Sequence, residues 1–169
     1  MKNTIKFIAF KAVNTLDITI FTLIFALLSV CVSLPAAAKD NTAEVVVKDA
    51  WVRTSVPGQK GTGAFMSITA KNDLQLVGVS SPVAGVTEVH EMKMNGDVMQ
   101  MRAIAGLDLP AGKTVALRPG GYHVMLLDLK TALPKDVTVP LTLVFKDAKG
   151  VQSKVELMLP VATTAPASK

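Results

Sequence analysis

From residue 44 onward, apolar and polar residues alternate in short runs instead of recurring every third or fourth position. Alternation of this kind marks a strand with one buried face, because successive side chains of an extended chain point to opposite sides. The pattern predicts strands over residues 44–53, 63–71, 74–80, 86–94, 97–104, 114–118, 122–129, 137–145 and 151–159. Turn-forming residues separate them, including Pro57-Gly58, Ser81-Pro82, Pro110-Ala111-Gly112, Pro119-Gly120-Gly121 and Ala148-Lys149-Gly150. No segment keeps a 3.6-residue apolar period. Many short strands with regular turns predict an all-β fold, a Greek-key barrel or sandwich. The stretch over residues 161–169 is small, polar and proline-containing, and is expected to be a disordered tail.

One pair of strands sets its own register. Residues 86–104 read as two strand-like runs around Asn95-Gly96, the dipeptide most favoured in a two-residue type I′ hairpin. With those two residues as the loop, Met94 faces Asp97, Met92 faces Met99 and His90 faces Met101. Directly opposed residues share a face, with Cβ atoms about 4.5–5.5 Å apart. His123 and Met125 are two apart on another predicted strand and share a face for the same reason. Docking that strand against the hairpin would bring the four side chains together.

Their chemistry is specific. His90 and His123 are the only histidines in the chain, and four of its eight methionines lie between Met92 and Met101. Thioethers beside neutral imidazoles are a donor set that favours Cu(I). The spacing His90-x10-Met101-x21-His123-x-Met125 therefore nominates His90, Met101, His123 and Met125 as ligands of one Cu(I) per chain.

The N-terminal sequence predicts that this chemistry takes place outside the cytoplasm. Lys2, Lys6 and Lys11 precede an apolar stretch over residues 18–34, followed by Pro35 and three alanines. That order predicts a secretory signal peptide over residues 1–38, cleaved after Ala38. The competing reading is a retained membrane anchor. Leu28-Ser29-Val30-Cys31 partly resembles a lipoprotein signal, with the bulky Val30 where a small residue belongs. Cleavage leaves 131 of 169 residues, room for one domain over residues 39–160 and no second one. It also removes Cys31, the only cysteine, so the mature protein has no disulfide, no zinc–thiolate site and no cysteine nucleophile. The 18 basic and 13 acidic residues of the whole chain fall to 15 and 12, a net charge of +3 with no basic run. Nucleic acid is not an indicated partner, and no membrane contact is expected once the signal is gone.

Methionines in strands usually fill cores, and Met66 and Met158 are expected to do so. Met92, Met94 and Met99 are ambiguous between packing and ligation. Trp51 is expected in the core, with stacking near the site as the alternative. Glu91, next to His90, is expected to point away from it and is not taken as a base.

The ligand spacing, the segment Ala50-Trp51-Val52-Arg53 and the stretch Arg118-Pro119-Gly120-Gly121-Tyr122-His123-Val124-Met125-Leu126 resemble the periplasmic copper chaperones that help build the dinuclear copper (CuA) centre of cytochrome c oxidase. The resemblance implies a cupredoxin-like Greek-key β-barrel or sandwich, and an exposed site in which His90, Met101, His123 and Met125 hold Cu(I). It further implies a periplasmic protein that is no enzyme; the working form is separately expected to be a monomer. Its acceptor would be a cysteine-containing protein, such as an oxidase subunit or an assembly thiol protein. Relatives with a His- and Met-rich extension add a Cu(II) site; residues 161–169 contain neither residue.

Carriage also fits the residues themselves. Blue-copper electron transfer uses a cysteine ligand, which the mature chain lacks, and no constellation of substrate-positioning groups suggests an oxidase. Copper storage and a metal-free β-sandwich interaction domain are the alternatives.

Overall fold

The computed structural model describes residues 43–166. The expected signal segment, its cleavage site and Cys31 lie outside the described residues, as do residues 167–169. Ten strands follow one another in that span: β1 (Val45–Arg53), β2 (Gly61–Ala70), β3 (Leu74–Ser80), β4 (Ala84–Asn95), β5 (Val98–Ile104), β6 (Leu107–Leu109), β7 (Thr114–Leu117), β8 (His123–Leu129), β9 (Thr138–Asp147) and β10 (Gln152–Ala162).

One layer runs β5-β4-β8-β2-β1, with β7 pairing the second half of β2, and the other runs β10-β9-β3-β6. A short parallel contact of β1 with β10, Val52 opposite Val161 and Arg53 opposite Ala162, joins them. The path does not close on itself: β5 and β6 are its free edges. Of the two architectures expected, the structure is the sandwich and not the barrel.

Alternation does the packing. On β9, Val139, Leu141, Leu143 and Phe145 are buried while Thr138 and Lys146 are exposed. They meet Ile68 of β2, Leu76 of β3 and Val124 and Leu126 of β8 in one apolar cluster. Each such side chain contributes about 1.5–3 kcal/mol when removed from water.

Four expectations are corrected here. β6 was not expected, because three residues are too few to show a period. β10 runs two residues into the segment expected to be a disordered tail, and Val161 is buried; its side chain is apolar and in phase with Leu159. Met158 is 63% exposed, because on β10 it shares the solvent phase with Lys154 and Glu156. Met66 is buried in the core as expected.

The hairpin register is the fourth correction. Asn95 pairs with Val98, Met94 with Met99, Met92 with Met101 and His90 with Ala103. The loop is Gly96-Asp97 and not Asn95-Gly96. Gly96 has φ +61° while neither Asn95 nor Asp97 has a positive φ. Positive φ at the first central residue alone is the pattern of a type II′ turn, which wants glycine in that place; the type I′ turn would need positive φ at both.

Candidate metal site

β8 lies beside β4 in an antiparallel ladder that puts His123 directly opposite His90 and Met125 opposite Glu88. Val89 and Val124, the intervening residues, point into the core. Period two therefore turns His90, Glu88 and Met92 of β4, with His123 and Met125 of β8, onto the outer face of the layer. The two imidazole rings are 5.8 Å apart at their centroids, and both histidines are buried.

Each ring has one nitrogen already committed. His123 Nδ1 lies 3.0 Å from the Gly121 carbonyl oxygen. That oxygen only accepts, so Nδ1 carries the proton and Nε2 keeps its lone pair. The same carbonyl accepts the Met92 backbone N–H at 3.2 Å, tying the ring's orientation to the path of β4. His90 Nε2 donates to Glu88 Oε2 at 2.8 Å. Its Nδ1 is buried with no hydrogen-bond partner. Buried polar atoms are nearly always paired; an unpaired imidazole lone pair is what a metal needs. A carboxylate or carbonyl on the far nitrogen is the usual outer support of a histidine ligand.

Glycines in β2 make room beside these rings. Gly63 pairs with Met125 and Gly61 with Leu127. A Cβ on Gly63 would lie 2.8 Å from Cζ of Phe65, so the Phe65 ring occupies the space a side chain would fill. Phe65 stands 6.4 Å from His123 and 4.8 Å from Trp51, centroid to centroid. Trp51 is buried as expected, but in this aromatic ledge and outside the main core. A cavity of about 270 Å³ opens among Met92, His123, Met125, Phe65 and Arg53. The Arg53 guanidinium caps the Phe65 ring at 5.3 Å.

The opposite face of the hairpin is polar and self-satisfied. Glu91 accepts from Arg102 at 2.8 Å and from the Tyr122 hydroxyl at 3.3 Å. The hydrogen bonds from Arg102 hold the Glu91 carboxyl below its ordinary range. Burial, followed by the Glu91 charge, pushes the Tyr122 hydroxyl up. Glu91 thus points away from His90, as the alternation predicted. Among the described residues, no group of three or more His, Cys, Asp or Glu side chains is placed to hold a metal. The donors that line the cavity beside His123 are the thioethers of Met92 and Met125.

Of the four nominated ligands, His90, His123 and Met125 come together on adjacent strands. Met101 shares their face but lies diagonal to His90, opposite Met92, and is half exposed. The pairing of His90 with Met101 expected from the turn is therefore wrong, although the shared face is right.

The strands that build this site fall within residues 45–157, which match the LpqE-like family. The chain belongs to the LpqE-like family. This LpqE-like protein is 32% identical over 133 residues to the Lxx21020 protein of Leifsonia xyli subsp. xyli, covering 76% of this chain and 80% of that one. Family and relative alike carry the description of lipoproteins. Among solved structures, the apo PCuAC domain from PmoF1 matches with a TM-score of 0.59 at 25% identity, over 73% of this chain and 98% of that domain. The solution structure of the Cu(I) form of DR1885 from Deinococcus radiodurans matches with a TM-score of 0.54 at 28% identity, over 76% of this chain and 83% of that one. Family and fold together bear out the resemblance to the copper-chaperone family and the cupredoxin-like sandwich it implied.

Sequence reasoning missed Glu88 in this LpqE-like protein. The signal was present, since Glu88 is two residues before His90 and must share its face. Missed too was the aromatic ledge, because nothing local says that Phe65 folds over a glycine of its own strand.

Proposed function

We propose that this LpqE-like protein is an exported carrier that holds one Cu(I) ion tightly and surrenders it to a thiol-bearing acceptor. The observation that carries the reading is the pair of buried imidazoles on adjacent strands, each with one nitrogen bonded to an outer support and the other free, next to the Met125 thioether. His90 Nδ1, His123 Nε2 and the Met125 sulfur are the inner donors. Met101, one diagonal step from His90, supplies the second sulfur. Such diagonal neighbours are about 7–8 Å apart, within reach of a side chain with three rotatable bonds.

Neutral nitrogen and thioether donors favour Cu(I) and bind it more weakly than thiolates. The ion therefore moves downhill to a cysteine pair. The copper-bound state of the DR1885 relative supports the cargo, and the lipoprotein description of the family supports export. We assign the compartment as the periplasm, the working form as a monomer, and the acceptor as the CuA subunit of cytochrome c oxidase or a thiol protein that serves it. The architecture then divides as a signal peptide over residues 1–38 and a copper domain from residue 39, now extending through Ala162.

The test is a Cu(I) titration against a chromogenic chelator. One tight equivalent is expected in the wild type, and it should disappear in His90→Ala and in His123→Ala. A tight equivalent that survives both substitutions refutes the site.

A further inference from the structure

Beyond Met92, whose N–H still bonds the Gly121 carbonyl, the hairpin leaves the sandwich. The pairing of β4 with β8 ends at His90 and His123, yet β4 and β5 stay paired out to Asn95 and Val98. That projecting ribbon has two unlike faces. On one, Asn95 bonds Gln100 and Glu91 bonds Arg102. On the other, Met94 lies opposite Met99 and Met92 opposite Met101.

No core lies under the outer sulfurs. Met94 is 54% exposed and Met99 and Met101 are 51% exposed, so packing does not account for methionine at these positions. What the residue supplies there is a neutral, soft donor on a side chain with three rotatable bonds. Opposed residues on an antiparallel pair have Cβ atoms about 4.5–5.5 Å apart, so two flexible thioethers can close on one soft cation between them.

We propose that Met94 and Met99 form a second, weaker Cu(I) site at the tip of the hairpin, distinct from the imidazole site and feeding it. Its geometry is two-coordinate, one thioether from each strand. The ion then advances by ligand exchange, a bond to Met94 or Met99 breaking as one to Met92 or Met101 forms, until His90 and His123 take it. Copper stays monovalent throughout, and no electron or proton is transferred. The feeding role rests on the carrier reading above; the tip site itself does not.

The test follows methyl resonances of ¹³C-methyl-methionine protein during anaerobic Cu(I) titration. In the wild type, the Met125 methyl should move during the first equivalent and those of Met94 and Met99 during the second. Met94→Leu/Met99→Leu, altered only at exposed positions, should keep the tight equivalent at wild-type affinity, lose the second step, and load several-fold more slowly from a Cu(I)–chelator complex. In His90→Ala/His123→Ala, the Met94 and Met99 methyls should respond from the first equivalent. If these two methyls stay still through two equivalents, or if the leucine variant loads as fast as wild type, the proposal is overturned and the methionine face is left as a protein-docking surface. The two readings fail separately. A tight equivalent retained without the histidines defeats the carrier site, while the Met94 and Met99 shifts in that same variant still support the tip site.

Discussion

His90 and His123 face each other across the β4–β8 ladder, and the two rings are restrained from opposite sides: Glu88 holds Nε2 of one, and the Gly121 carbonyl holds Nδ1 of the other. The atoms left free are Nδ1 of His90 and Nε2 of His123. Neither hydrogen bond has to break to leave these atoms a lone pair.

The support on His90 is a side chain and can be removed. Glu88→Ala should lower Cu(I) affinity by about 10- to 100-fold, the usual effect of losing an outer partner of a histidine ligand. Glu88→Gln, which keeps an acceptor oxygen, should lose less. Chelator competition on both variants checks this; equal affinity in Glu88→Ala and wild type would show that the ring does not depend on its carboxylate.

Methionine and leucine are close in volume, and such swaps usually cost less than about 1.5 kcal/mol. Met101→Leu should therefore leave the thermal transition nearly unchanged while Cu(I) affinity falls tenfold or more, equivalent to about 1.4 kcal/mol per factor of ten. Met66→Leu in the core is the control and should not change affinity. Combined with His90→Ala, the Met101 loss should be non-additive, as expected for groups sharing one ion. Wild-type affinity in Met101→Leu would transfer the fourth donor to Met92, which lies directly across from it and lines the cavity.

Gly63→Ala should damage the site through packing. Its new Cβ would meet Phe65 Cζ at 2.8 Å, and the ring is wedged between Trp51 and His123. Overpacking of this kind costs about 1–3 kcal/mol, and displacement of Phe65 should also weaken copper binding. Calorimetry and titration of one preparation measure both effects. An unchanged melting temperature with unchanged affinity would show that Phe65 moves aside freely.

The Glu91–Arg102 contact predicts a pH signature. Glu91 titrates below its ordinary value of 4.5 in the folded protein because Arg102 bonds its charged form. A depressed folded value means that stabilisation is complete above the unfolded value and is lost as pH falls through the folded one. Glu91→Gln should therefore be less stable than wild type near neutrality, with the gap closing below about pH 4, under the reference range for glutamate. Denaturant melts across that range test it; a gap independent of pH would mean that the charge of Glu91 does not matter.

Face parity was legible in the sequence. Period-two alternation located nine of the ten strands. It also put His90 with Met101 on one face even though the turn was misplaced, because moving a two-residue loop by one position slides the partner strand by two, and two is the period of a strand. The same arithmetic assigned Glu91 to the far side and would have assigned Met158 to solvent.

The sequence by itself determined the strands, their faces and a donor set suited to a soft monovalent ion, because each of these depends on neighbours a few residues away. Tertiary structure alone decided that β8 lies beside β4, so that His123 meets His90, that the Gly121 carbonyl reaches back to fix a tautomer, and that Phe65 fills the space over Gly63. The terminal residues of β10 likewise became strand through tertiary contact: Val161 lies opposite Val52 of β1, more than a hundred positions away, and its N–H bonds the Val137 carbonyl. The strand pairings among these join distant segments, whereas the Gly121–His123 and Gly63–Phe65 contacts are local and depend on how the backbone runs there. A local pattern sets the period of each strand but does not choose its neighbour.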